Sequence, residues 1–171
     1  MKVRPELEKD FNTIRSITRA AFDNEEEPDL IEAIRESSYY IPELSLVAET
    51  GGKVTGYIMF SRINVVGDNG DMEVLSLAPM AVIPDMQNRG IGSRLLRKGI
   101  EKCRELGHRI IIVIGHPEFY PRFGFVPARD AGFEVPFDVP DEAFMVTGLV
   151  DDALEGVGGM VIFSPPFDGL V

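Results

Sequence analysis

Gln87-Asn88-Arg89-Gly90-Ile91-Gly92-Ser93 is the segment whose residue types and spacing point most directly to chemistry. Two glycines follow a basic residue at the head of an amphipathic run, just after an apolar stretch, Val74 to Val82, that Pro79 interrupts. A strand feeding a glycine-rich turn at a helix N-terminus is a place to hold phosphate. The first-turn N–H groups lack intrahelical partners, the helix end is positive, and glycine lets the backbone approach a pyrophosphate with no Cβ in the way. Two phosphate-binding patterns do not fit. The dinucleotide pattern G-x-G-x-x-G lacks its third glycine, and Ile112-Val113-Ile114 offers no acid for a ribose. The P-loop G-x-x-x-x-G-K-[ST] is absent. The arrangement present is Gln/Arg-x-x-Gly-x-Gly/Ala after an interrupted strand.

Other reactive side chains are defined by their neighbours. Tyr120 stands among Phe119, Phe123 and Phe125, so its phenol serves either proton transfer or aromatic packing. Cys103 falls on the apolar stripe of a helix and reads as core, which weakens any acyl-cysteine route. His108 and His116 lack metal-ligand spacing, no metal is expected, and His116 reads as a loop or cap residue. Asp23 to Glu27 forms an acidic loop; a solvated loop is the plainer account, attraction of a cationic amine the sharper one.

The elements that must position these groups follow from hydrophobic periodicity. Val3 begins a short strand, and Leu7, Phe11, Ile14, Ile17 and Ala21 recur at helical spacing to about Phe22. A second helix is predicted from Pro28 or Asp29 to about Ser38. Leu44 to Glu49, Gly51-Gly52 and Val54 to Val65 make a hairpin signature, and Gly67-Asp68-Asn69-Gly70 turns into a strand from about Met72 to Val82. A third helix spans Gly90 to Leu106 with a core stripe of Ile91, Leu95, Leu96, Ile100, Cys103 and Leu106, ended by Gly107. The β-branched run Ile110 to Ile114 predicts a buried parallel strand, followed by a short helical turn around 117–122 and closing strands at 144–150 and 157–163. The class is α/β, or α+β by stricter bookkeeping, with a mixed sheet and helices on both faces. Pro79 withholds a ladder donor, so the sheet is expected to part near it; an extended ligand with its own amides could then pair with the freed backbone.

Composition bounds the reading. The chain has 171 residues, enough for one domain with a real core, and residues 128–171 are expected to be a C-terminal extension of that domain. A single cysteine and a charged N-terminus suit a reducing cytoplasm, and no apolar run predicts a membrane span. The net charge of −11 argues against a nucleic-acid binder with a general basic surface. Residues 87–104 hold six cations against Glu101 alone, a net of +5, which leaves −16 on the remainder. A cationic helix start in an acidic chain suits a small polyanionic ligand.

At these residues the chain resembles the GNAT superfamily of N-acetyltransferases. The resemblance rests on Gln87 to Gly92, on Val3-Arg4-Pro5 before a helix, on Leu77 to Val82, and on Tyr120-Pro121-Arg122-Phe123-Gly124-Phe125. It implies a centrally splayed sheet and acetyl-coenzyme A as cosubstrate, without a metal. It also implies pyrophosphate on the backbone of Arg89, Gly90, Ile91, Gly92 and Ser93 with Gln87 leading in, pantetheine beside Val82, and the thioester carbonyl on the Met80 N–H. Tyr120 takes the place of the family's tyrosine, which protonates the departing thiolate; an ordinary phenol and thiol are matched for that transfer. The implied activity is transfer of acetyl to a small-molecule or peptide amine by direct attack. A non-catalytic acyl-coenzyme A sensor or interaction module is the rival, and a nucleotide-binding domain a third reading. Relatives acting on lysine carry a glutamate six residues before the Val82 position; here it is Ser76, with Glu73 three residues earlier. A water relay or an already neutral substrate is an equal alternative. The oligomeric state is open, a homodimer among its options.

Overall fold

The computed structural model describes residues 1–170, which fall into two units: Met1–Ser61 with Ala78–Lys102, and Arg62–Leu77 with the residues from Cys103 on. In the first unit β1 (Lys2–Pro5) runs antiparallel to β2 (Ser45–Thr50), and β2 to the start of β3 (Lys53–Gly67). Gly51 and Gly52 both take positive φ, 57° and 81°, which is the two-residue hairpin turn their side-chain-free backbones permit. α1 (Phe11–Phe22) buries Ile14, Ile17 and Thr18 and stops where Asp23 turns left-handed. α2 (Glu26–Arg35) starts two residues before the predicted position, because the Asn24 side chain accepts the Glu27 N–H at 3.1 Å; Pro28 then falls inside the first turn, where proline is tolerated.

β3 shows why helices lie on both faces. Its side chains alternate. On one face Gly56, Ile58 and Phe60 meet α3 (Ile91–Glu105): a Cβ on Gly56 would stand 2.9 Å from Leu95 Cδ1, and one on Gly99 of the helix 2.5 Å from Phe60. On the other face the Tyr57 hydroxyl bonds Ser45 within a buried network that includes Glu6, Tyr40 and Arg35 of α2. Arg35 grips the Glu6 carboxylate at 2.6 and 3.2 Å and lies 3.7 Å over the Phe11 ring.

In the second unit the end of β3 pairs with β9 (Gly159–Ile162), and β9 with the two-residue β7 (Phe133–Glu134). β4 (Gly70–Val82) neighbours β3 and runs parallel to β5 (Ile110–Ile114), with register Leu75–Ile111 and Ser76–Ile112. β5 pairs along its whole length with β8 (Phe144–Gly148), which also takes β6 (Val126–Pro127). The β4–β5 ladder is thus far shorter than the β5–β8 ladder. Two pairs ending at Ser76, three residues before Pro79, are what a parting sheet requires. The Ala78–Pro79 peptide is cis.

The architecture is the expected mixed α/β one, mostly antiparallel, with several local corrections. The short helical turn predicted around 117–122 is a 3-10 turn, Tyr120–Phe123, with Pro121 in its first turn and Gly124 closing it at φ 93°. The last predicted strands contract to five and four residues, and Gly158 and Gly159 take positive φ where β9 begins. Leu106, predicted as core, is 40% exposed, and Ile100 is half-buried. The helix has already ended there: the Gly107 N–H turns back to Arg104 and that of His108 to Cys103, which swings the last turn outward. Among the described residues no helix is long and apolar enough to cross a membrane.

Candidate active site

The residues predicted to bind a phosphate-bearing ligand follow one another in the first unit, at the end of β4 and the start of α3. Met80 and Val82 are half-buried, with Ala81 buried between them. The Ile83 N–H donates to Thr55 at 2.9 Å, and a 3-10 turn, Pro84–Met86, lifts the chain off the sheet. Gln87, Asn88, Arg89 and Gly90 are exposed. Asn88 and Gly90 take φ of 63° and 86°, a double reversal of the backbone just before α3. Arg94 makes the first intrahelical bond, to Gly90 at 3.1 Å, so the N–H groups of Ile91, Gly92 and Ser93 precede the ladder. A helix start of this kind offers its first N–H groups to an anion. Gln87 turns back instead of outward: its Nε2 donates to the Val82 carbonyl at 3.1 Å.

Gly56 sets the height of this turn. Ile91 Cγ2, Leu95 Cδ1 and Ala81 O would lie 3.1, 2.9 and 3.3 Å from a Cβ there, so the first turns of α3 and the last residues of β4 converge on a bare backbone. Sequence reading passed over it, although a glycine inside a strand pattern is the usual mark of a close approach.

Tyr120 belongs to the second unit. Its ring is buried, in edge contact with Phe119 (centroids 5.1 Å, 85°) and Phe125 (5.5 Å, 69°), and its N–H reaches the His116 carbonyl at 3.5 Å. Burial alone pushes the phenol up to about 12. The expected match between an ordinary phenol and a thiol is corrected accordingly: Tyr120 keeps its proton more tightly than the sequence suggested. Beside it, Arg122 stacks 4.9 Å over Phe119.

The remaining candidates have structural partners. Cys103 is fully buried and its thiol is pushed up to about 12 by burial, which leaves it unreactive. His116 is exposed and acts through its carbonyl; His108 is held below its ordinary value by burial and the Arg62 charge. Among the described residues no cluster of His, Cys, Asp or Glu could hold a metal. Ser76 is buried, and Glu73 pairs with Arg62 at 3.4 Å on the exposed side. In the acidic loop, Glu25 binds Arg15 and Arg19, and Arg15 also reaches Asp29 at 2.8 Å and Glu32 at 3.1 Å, a clasp between α1 and α2. Glu27 stands apart: it is half-buried, and burial first, then the Glu26 charge, raises its carboxyl.

Residues 10–125 match the model of the "Acetyltransferase (GNAT) family". The chain belongs to the GNAT acetyltransferase family. It is an acyltransferase by that membership. This GNAT chain is 40% identical over 134 residues to the uncharacterized N-acetyltransferase YjhQ of Escherichia coli, covering 78% of this chain and 74% of that one. It is 32% identical over 169 residues to the uncharacterized N-acetyltransferase YhbS of the same organism, covering 98% and 99%. The crystal structure of Escherichia coli YhbS in complex with CoA superposes with a TM-score of 0.89 at 31% identity, covering 97% of this chain and 91% of that one. A GNAT family acetyltransferase from Brucella melitensis in complex with acetyl-CoA follows at 0.79 and 30%, covering 98% and 97%.

Proposed function

We infer that this GNAT chain transfers an acetyl group from acetyl-coenzyme A to a primary amine, on a small molecule or a peptide, by direct attack in a ternary complex. The observation that carries this reading is the glycine turn, where exposed Arg89 and Gly90 lead into the N–H groups of Ile91, Gly92 and Ser93 that precede the α3 ladder. A diphosphate is the ligand such a turn accepts. Two relatives that align along nearly the whole chain hold CoA and acetyl-CoA, which supports the same ligand here.

In this reading Gln87, Arg89, Gly90, Ile91, Gly92 and Ser93 bind the pyrophosphate. The pantetheine amides pair with the backbone at Val82, and the Gln87 carboxamide yields the Val82 carbonyl to them. The Met80 N–H receives the thioester oxygen. The amine lone pair adds to the carbonyl carbon, and the Met80 N–H stabilises the charge that develops on oxygen. Collapse breaks the carbon–sulfur bond and sends its electron pair to sulfur. Tyr120 donates a proton toward that sulfur, and the proton lost by the amine nitrogen restores the phenol, so the products are the amide and the free thiol. With the phenol near 12 and a thiol near 8.5, full transfer between the free groups is uphill by roughly a few thousandfold. Tyr120 therefore holds its proton in a hydrogen bond while charge builds on sulfur, and passes it on only as the amine's proton returns to the phenol oxygen.

Titration calorimetry with coenzyme A tests the ligand; no binding at millimolar concentration overturns the reading. Thiol release from acetyl-coenzyme A over a panel of amines (spermidine, tryptamine, a lysine peptide and a peptide with a free N-terminus) tests the activity. The rival, an acyl-coenzyme A sensor without turnover, draws on Ser76 standing where relatives acting on lysine carry a glutamate; it predicts binding without thiol release. Tyr120→Phe is expected to lower turnover about 10²-fold or more while coenzyme A affinity holds within twofold. Unchanged turnover rejects the role.

A further inference from the structure

Gly115, the residue that follows β5, makes an approach that its backbone does not require. Its φ lies outside the left-handed region, so any residue could take its conformation. What excludes a side chain is Tyr120: a Cβ on Gly115 would fall 2.6 Å from Tyr120 Cε2, 3.4 Å from Cδ2 and 3.5 Å from Cζ. One edge of the ring therefore rests on bare backbone, and Phe119 and Phe125 pack against the ring in T-shaped contacts. The Gly115 N–H is itself fixed, donating to Ala143 at 2.9 Å just before β8.

The far end of the same turn is tied to the same strand. Gly124 closes it with a left-handed φ and an N–H bonded to Pro121, while its carbonyl accepts from Thr147 Oγ1 of β8 at 3.1 Å. Thr147 is buried and pairs with Ile111 of β5. Both ends of the segment that carries Tyr120 are thus anchored to the β5–β8 pair. The anchors are a missing side chain on one side and a hydroxyl on the other.

We propose that Gly115 and Thr147 are positioning residues that hold the Tyr120 phenol in one buried orientation for the transfer. This rests on Tyr120 serving the reaction, as set out above. A Cβ at position 115 forces the ring off the backbone, and loss of the Thr147 hydroxyl frees the turn that bears it.

The test reads the ring directly, without an acceptor. In protein carrying ¹³Cζ-labelled tyrosine, the Tyr120 resonance is assigned by its loss in Tyr120→Phe and titrated with pH in Gly115→Ala and Thr147→Val. The wild-type phenol is expected to titrate near 12, and in either variant to move down toward the ordinary 10 as the ring gains water. In the thiol-release assay Gly115→Ala is expected to lower kcat about tenfold with KM for acetyl-coenzyme A unchanged. It adds nothing further in a Tyr120→Phe background, where the hydroxyl is already gone; a merely structural loss would add. Should Gly115→Ala not fold, Thr147→Val is read the same way. An unshifted Tyr120 resonance in the folded variants overturns the proposal. A shifted resonance with full turnover in Tyr120→Phe leaves the seat standing and removes the catalytic role of Tyr120 instead.

Discussion

At the scale of single residues, charge and burial decide what each group can do. Asp10 is buried against Arg4, which donates at 2.7 and 3.1 Å, and it accepts the Leu7 N–H at 2.8 Å. The Arg4 hydrogen bond is the largest cause holding its carboxyl below the ordinary 3.8. On acidification the unfolded chain binds its proton first. Stability from Asp10 is therefore complete above about pH 4 and is lost as pH falls through the lower folded value. Thermal melts of Asp10→Asn between about pH 6 and 2 should show lower stability than wild type at the upper end and a flatter acid limb; an acid limb parallel to wild type refutes the assignment. Tyr120 and Cys103 make the same point differently. Both were visible in the sequence as candidates, Cys103 correctly as core through its helical spacing. The height of the Tyr120 phenol was not visible, because it depends on how far Phe119, Phe125 and Gly115 exclude water.

At the scale of elements, glycines govern how closely the pieces approach. Gly56 lets the start of α3 and the end of β4 close on β3, and Gly99 admits the Phe60 ring to the same helix. Gly56→Ala overpacks this junction by a few tenths of an ångström against Ile91 and Ala81. The expected cost is about 1–3 kcal/mol, seen in thermal melts, together with weaker coenzyme A binding by calorimetry, since the glycine turn rides on that helix start. Wild-type affinity in the folded variant refutes the link between Gly56 and the turn. Element existence was largely legible: α1, β3, β4, α3 and β5 follow their apolar periods to within a few residues. The short pieces were not. β6 and β7 hold two residues each, too few to show a period. The helical turn expected around 117–122 is the exception, and it closes after four residues because Gly124 reverses it.

Across the whole chain, the charge is distributed against the proposed polyanionic ligand. A net −16 outside residues 87–104 repels a polyanion, and the +5 within them offsets that repulsion only locally. Coenzyme A affinity is accordingly expected to fall on the order of a few-fold between about 0.05 and 0.5 M salt, as screening removes the attraction of the exposed Arg89 and Arg94. Charge reversal at Arg94 should flatten that dependence in calorimetry, and an unchanged slope counts against local steering.

The sequence by itself determined the mixed α/β class, the glycine turn with the strand before it, the family, and the candidates Met80, Val82, Gln87, Arg89 to Ser93 and Tyr120. These are local in character. Hydrophobic period, turn chemistry and spacing are written over a handful of consecutive residues. Tertiary structure alone decided that β4 keeps only two parallel pairs to β5, that Gln87 bonds the Val82 carbonyl, and that Glu27 is half-buried while its acidic neighbours pair with Arg15 and Arg19. It also decided that Gly115 seats a tyrosine ring. Each of those depends on residues distant in the chain excluding water from one another or meeting at van der Waals contact, and no local pattern encodes such a distance.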